Sequence, residues 1–174
     1  MRQIRVHGPN DVRLDDIPDP QPGPRDALVR IAACGICGTD VSFVHMGGIT
    51  GRPMPLGHEL AGTVDWIGTE VTDVAVGDRV VVHPADGLEP RIGSGGDEGG
   101  LTPVLLVREA AKGRRLFRVP DAMPLRVAAL TEPLAVGMQA VNQADVAPGD
   151  KEAVFGCGPV GLMTIATLVD RGID

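Results

Sequence analysis

Turn-forming residues recur along almost the whole chain. Its 24 glycines and 15 prolines suit short strands joined by tight turns and work against a bundle of long helices. Gln3–Val6 and Val12–Ile17 read as two strands joined by the turn Gly8-Pro9-Asn10-Asp11. Pro18, Pro20, Pro22 and Pro24 then hold an extended connector, because proline fixes φ and offers a ladder no donor. Ala27–Ala33, Leu60–Ile67, Arg79–His83, Val104–Val107 and Leu116–Val119 continue the strand pattern. Thr39 or Asp40 can cap a short helix ending at Met46, and Gly47–Pro55 reads as loop. Three Phe, one Trp and no Tyr leave the core to Val, Leu, Ile, Ala and Met.

His83–Gly100 carries six glycines and little apolar material, the composition of a loop or a poorly ordered excursion. Leu125–Gln143 turns helical, with a break expected at Glu132-Pro133. Ala147-Pro148-Gly149-Asp150 is a turn, Glu152–Phe155 a strand and Pro159–Asp170 a helix. Many short strands followed by one βα unit predict a mainly β fold with an α/β start. The domain boundaries expected are a β-rich domain over 1–125, a helical bridge over 126–150 and the start of an α/β domain over 151–174.

The net charge of −7 works against nucleic acid as a partner, since binding phosphates needs clustered cations. The one basic run, Lys112, Arg114, Arg115 and Arg118, reads as a solvated turn. No apolar run approaches the ~20 residues that cross a bilayer, and Met1–Arg5 lacks a signal-peptide apolar region. Three cysteines, an odd number, suit a reducing, cytoplasmic setting better than a disulfide framework.

Two segments carry chemistry. Cys37-Gly38-Thr39-Asp40, followed by Gly57-His58-Glu59, supplies a thiolate, an imidazole and a carboxylate, the ligand types of a zinc ion that keeps an open position. Cys34-Gly35-Ile36-Cys37 taken alone is ambiguous between a redox pair, half a zinc knuckle and two packed cysteines. Near the C-terminus, Gly156-Cys157-Gly158-Pro159-Val160-Gly161 is a G-x-G-x-x-G that follows an apolar run and opens a helix. In that context it reads as the opening of a dinucleotide fold, with Gly158 letting backbone approach a pyrophosphate and Gly161 permitting close strand–helix packing.

Five ordered motifs resemble the zinc-dependent medium-chain dehydrogenase/reductase family, in particular its polyol and threonine dehydrogenase branch. They are Cys34–Asp40, Gly57–Val64, Val76–Val80, Glu132–Val136 and Gly156–Leu162, and they span nearly the whole chain. The resemblance implies a GroES-like β-barrel catalytic domain followed by the first βα unit of a Rossmann fold. It implies one catalytic zinc with Cys37, His58, Glu59 and Glu132 as ligand positions, Thr39 receiving the substrate proton and Asp40 orienting the metal-bound imidazole. Gly156, Gly158, Pro159, Val160 and Gly161 become the binding turn for NAD or NADP. The implied activity is interconversion of a small-molecule alcohol and a carbonyl, with zinc as Lewis acid and the nicotinamide as hydride partner. The substrate class is polyol, sugar or hydroxy amino acid.

The sequence departs from the family pattern in three places. No cysteine lies between Cys37 and Cys157, so a second, structural zinc is not expected. Ser42 stands where a relay histidine is frequent, with His45 out of register. The acid that selects NAD or NADP would fall beyond Asp174. The chain corresponds to the N-terminal half of such an enzyme and is expected to be inactive alone, the full-length protein being a homo-oligomer without membrane or nucleic-acid partners. A non-redox zinc enzyme and a non-catalytic zinc-binding or interaction module are the competing readings. His7 and His83 are expected at the surface.

Overall fold

The computed structural model describes residues 1–85 and 91–173. The chain divides into two compact units, Met1–Ala129 and Leu130–Asp174.

Among the described residues the first unit holds eight strands in two antiparallel sheets. β1 (Arg2–Gly8), β2 (Asp11–Asp16) and β4 (Met54–Pro55) form the smaller sheet in the order β2-β1-β4. β3 (Ala27–Gly35), β5 (Glu59–Ile67), β6 (Arg79–Val82), β7 (Val104–Val107) and β8 (Leu116–Arg118) form the larger one, in the order β7-β3-β5-β6-β8. The short β4 is the one strand the sequence pattern does not suggest. Alternation explains the burial of β3: Ala27 and Val29 are sealed while Arg30 and Ala32 are exposed. The main core gathers Val29, Leu60, Val64, Val80, Leu105 and Val107 from neighbouring strands. Each such side chain stabilises the fold by roughly 1.5–3 kcal/mol relative to exposure.

The β3–β5 pairing positions everything that follows. Gly35, the last residue of β3, lies opposite Glu59, the first of β5, and Cys34 lies opposite Leu60. Residues just after β3 and just before β5 therefore meet at one end of the ladder. α1 (Gly38–Met46) starts there and stops at Gly47, whose φ of +83° closes the helix in a left-handed cap.

The glycine-rich excursion is better built than its composition suggests. Residues 86–90 lie outside the described part, but 91–100 form a packed turn. Ile92 is buried in the main core and its N–H donates to the Pro84 carbonyl at 2.9 Å. Gly93 N–H donates to the Glu98 carbonyl at 2.7 Å, and Gly100 N–H to the Gly57 carbonyl at 2.8 Å. Several of these glycines are needed for close approach rather than looseness. A Cβ on Gly100 would come within 2.5 Å of the Leu60 side chain, and one on Gly99 within 2.5 Å of the Leu56 carbonyl.

Two side-chain expectations are corrected. Arg115, read from the basic run as solvated, is 2% exposed, with its Nη1 donating to the His83 carbonyl at 3.3 Å. His7 is partly buried and pairs with Asp15 at 2.7 Å instead of lying free at the surface. His83 is exposed, as expected, edge-on to Phe117.

α2 (Leu125–Ala128) closes the first unit, packing Ala128 against Ala61 and Val81. The second unit contains α3 (Thr131–Ala144) and α4 (Pro159–Asp170). The helical break falls at Ala129-Leu130, before the expected Glu132-Pro133. Pro133 sits in the first turn of α3, where a missing N–H costs nothing because the first four lack partners anyway. α3 and α4 pack closely: a Cβ on Gly137 would lie 2.7 Å from the Thr164 backbone nitrogen. Glu152–Phe155, expected as a strand, is not one. A strand exists only by pairing, and no ladder partner reaches this segment among the described residues. No helix among the described residues is long and apolar enough to cross a membrane.

Candidate metal centre

Cys37, His58 and Glu59 meet at the β3–β5 ladder end, with one ligand atom from each lying within 4.8 Å of the others. Bonds of 2.0–2.3 Å around a tetrahedral zinc put ligand atoms about 3.3–3.8 Å apart, so small side-chain rotations close the set. Local folding explains each position. Cys37 is the N-cap of α1, at the end of the helix whose free N–H groups favour negative charge. Glu59 heads β5 and is buried, its carboxylate lying over Gly35. A Cβ on Gly35 would approach Glu59 Oε2 to 2.2 Å, so the space this carboxylate occupies exists because residue 35 has no side chain.

Asp40 ties the three segments together from behind. It is 1% exposed. Its Oδ2 accepts the Cys37 N–H at 2.9 Å, and its Oδ1 accepts the Gly57 N–H at 3.1 Å. Oδ1 also lies 3.6 Å from His58 Nδ1. Burial acts to raise the Asp40 carboxyl, but His58 and the two backbone donors outweigh it and hold it below the usual value. In the metal-free protein Asp40 lifts His58 to about 9 against the opposing effect of burial. With Nδ1 turned to Asp40, His58 keeps Nε2 for a metal. Gly57 permits this turn: its φ is +93°, and a Cβ there would lie 2.7 Å from Cys34 Sγ.

The structure separates the two cysteines of the C-x-x-C. Cys34 lies within β3, packs against the main core and has its thiol pushed up to about 12, first by burial and then by Asp40 and Glu59. It is held as a neutral thiol. Cys37, three residues on, belongs to the acidic and imidazole cluster. Both are free, as is the exposed Cys157.

Thr39 is the second residue of α1 and is exposed. Ser42 donates to the Gly38 carbonyl at 3.0 Å, and His45 Nδ1 pairs with Asn10 Oδ1 at 2.9 Å, so each side chain has a partner other than the Thr39 hydroxyl. Ser94, which sequence reasoning passed over, places its Oγ 3.3 Å from His58 Nδ1. The only signal for it was a single hydroxyl inside a run of glycines.

The remaining sequence-derived positions fall in the second unit. Glu132 is half-buried in the first turn of α3, a place where the helix dipole favours an acid. Gly158 is the N-cap of α4 and Pro159 its first residue, with Val160 and Gly161 completing the turn. Gly156 has φ +102°, and a Cβ on Gly161 would lie 2.0 Å from the Gly156 carbonyl oxygen. The backbone therefore folds over the helix start as a glycine-lined cradle, with Gly156–Gly158 exposed.

Comparison with known proteins supplies the family. Residues 23–120 match the alcohol dehydrogenase GroES-like domain, and the chain belongs to that family. Sorbitol dehydrogenase of Homo sapiens is 36% identical over 180 residues, covering 92% of this chain and 49% of that protein. The structure of 2R,3R-butanediol dehydrogenase from Bacillus subtilis aligns with a TM-score of 0.86 at 34% identity, over 99% of this chain and 55% of that one. Alcohol dehydrogenase TADH from Thermus sp. ATN1 aligns with a TM-score of 0.88 at 30% identity, over 99% of this chain and 56% of that one. The chain spans about half the length of the curated relatives it matches.

Proposed function

We propose that this chain is the zinc-holding part of an NAD(P)-linked oxidoreductase that interconverts an alcohol and a carbonyl. The observation that carries this reading is the convergence of Cys37, His58 and Glu59 with the buried Asp40 behind them. A soft thiolate, an imidazole and a carboxylate from one ladder end are a donor set suited to zinc with a position open to substrate. Bound there, zinc supplies a Lewis acid for the substrate oxygen, and a nicotinamide supplies the hydride partner.

The chain's own residues do the rest. Cys37 and Glu59 contribute the negative ligands, and His58 binds through Nε2 because Asp40 faces its Nδ1. Glu132 is carried to the ligand set by the family resemblance. Thr39 holds the substrate proton on its hydroxyl and, being exposed, passes it directly to water. The glycine cradle Gly156–Gly161 at the α4 N-terminus suits a pyrophosphate, since Gly156 and Gly158 are exposed and the first N–H groups of a helix have no partner within it. The names of the similar proteins favour polyols and vicinal diols as the substrate class; sugars and hydroxy amino acids rest on the motif resemblance alone. On the resemblance the full-length protein is a homo-oligomer; the odd cysteine count suits a cytoplasmic setting, and the order of strands and helices sets the domain limits at 1–125, 126–150 and 151–174.

The test is nicotinamide reduction by a protein that carries this chain together with a complete dinucleotide domain, offered sorbitol, 2,3-butanediol and threonine. Zinc-dependent reduction that is lost with Cys37→Ser supports the proposal. A protein that holds zinc yet reduces neither NAD nor NADP with any alcohol, while hydrolysing an ester, would replace it with the non-redox reading.

A further inference from the structure

Ser94 stands in a turn where another glycine would be easier to accommodate. Its φ is +46°, between Gly93 at +61° and Gly95 at +92°. Serine rarely adopts that conformation and carries strain there that glycine would not. The loop holding it is fastened to the metal centre at two points. Gly100 N–H donates to the Gly57 carbonyl at 2.8 Å, and Gly93 packs so closely on Gly57 and His58 that an added Cβ would lie 2.7 Å from the Gly57 oxygen.

The strained residue thereby delivers its hydroxyl to His58. Ser94 Oγ is 3.3 Å from His58 Nδ1, nearer than Asp40 Oδ1 at 3.6 Å. Asp40 already accepts two backbone N–H groups, from Cys37 and Gly57. With Nε2 given to a metal, Nδ1 carries the proton and needs an acceptor.

We propose that Ser94 is a positioning residue of the metal centre, its hydroxyl accepting the Nδ1–H of His58 beside Asp40 and so fixing the direction of Nε2. The proposal rests on the reading of Cys37, His58 and Glu59 as that centre. It turns the glycine-rich turn from a connector into part of the site, holding the imidazole at the same nitrogen that Asp40 of α1 faces.

Two substitutions separate this role from a purely structural one. Ser94→Gly removes the hydroxyl and relieves the backbone, whereas Ser94→Ala removes the hydroxyl and keeps the strain. The 174-residue chain is titrated with zinc against a chromophoric chelator, the cobalt(II) absorption bands are recorded, and the metal-free proteins are melted. Both variants should bind zinc about tenfold more weakly, in keeping with the loss of a partner behind a metal-bound histidine. Both should shift the cobalt bands, although Ser94→Gly melts at or above the wild-type temperature and Ser94→Ala does not exceed it. Zinc affinity that follows melting temperature, with Ser94→Gly matching wild type, would overturn the proposal and leave the metal centre standing. A wild-type chain that binds neither metal would overturn both.

Discussion

Gly35→Ala isolates the space on which Glu59 depends. The added methyl would lie 2.2 Å from Glu59 Oε2, 3.1 Å from its Cβ and 3.3 Å from its Cδ, all atoms of one side chain. Ordinary contact begins near 3.4 Å, so the carboxylate has to swing by about 1 Å or more while the strand backbone barely moves. The stability cost should sit at the low end of overpacking, about 1 kcal/mol, because the clash is with the end of a rotatable side chain. That corresponds to a fall of about 4 °C in melting temperature for a unit of this size. Zinc affinity should suffer more, by roughly tenfold, because a ligand displaced by 1 Å no longer fits a 2.0–2.2 Å bond. Circular dichroism melts of the metal-free chain and chelator competition measure the two effects. Repeating Gly35→Ala in a Glu59→Ala background removes the Oε2 and Cδ contacts and leaves only the milder one to Cβ at 3.1 Å, so the two changes should be strongly non-additive. Additive losses, or a tenfold loss of affinity persisting in the absence of Glu59, would refute the reasoning.

The His58–Asp40 pair makes the metal-free protein sensitive to pH. His58 is raised from 6.5 to about 9, so its stabilising effect is complete below pH 6.5 and is lost as pH climbs through about 9. The loss amounts to at most about 3 kcal/mol; the melting temperature should fall across that window, and Asp40→Asn should flatten the slope. Zinc binding displaces the same proton, so affinity should rise over the same range in wild type. Thr39→Val, assayed in a protein with a complete dinucleotide domain, should keep its zinc and lose about 10²–10⁴-fold in turnover. An unchanged rate would remove Thr39 from the proton path.

How legible the molecule was in its sequence varied with the range of the forces involved. β1, β3, β5, β7 and α4 were readable because alternation, turn residues and an N1 proline are local signals. The β3–β5 ladder brings Cys37 to His58, and that pairing was inferable through motif resemblance, since neither residue alone announces a metal. The division of labour in Cys34-Gly35-Ile36-Cys37 was readable only through the motif resemblance, which gives the ligand role to Cys37; its physical cause, Cys34 lying opposite Leu60 inside the strand, is a matter of register. Glycine density in 91–100 said loop, but whether a glycine is loose or is needed for close approach depends on what faces it across the fold. Arg115 shows the same limit, because a run of cations looks alike in sequence whether it is solvated or folded inward. Glu152–Phe155 fails for the opposite reason, having strand-like residues and no ladder to join.

Metal stoichiometry tests the central claim most directly. Purified wild-type chain, freed of loosely held metal and analysed by plasma mass spectrometry, should retain about one zinc per chain, and Cys37→Ser with His58→Ala together should retain none. Zinc that survives the loss of both side chains, or a wild-type protein that stays empty in excess zinc, would contradict the assignment of Cys37, His58 and Glu59 as its metal centre.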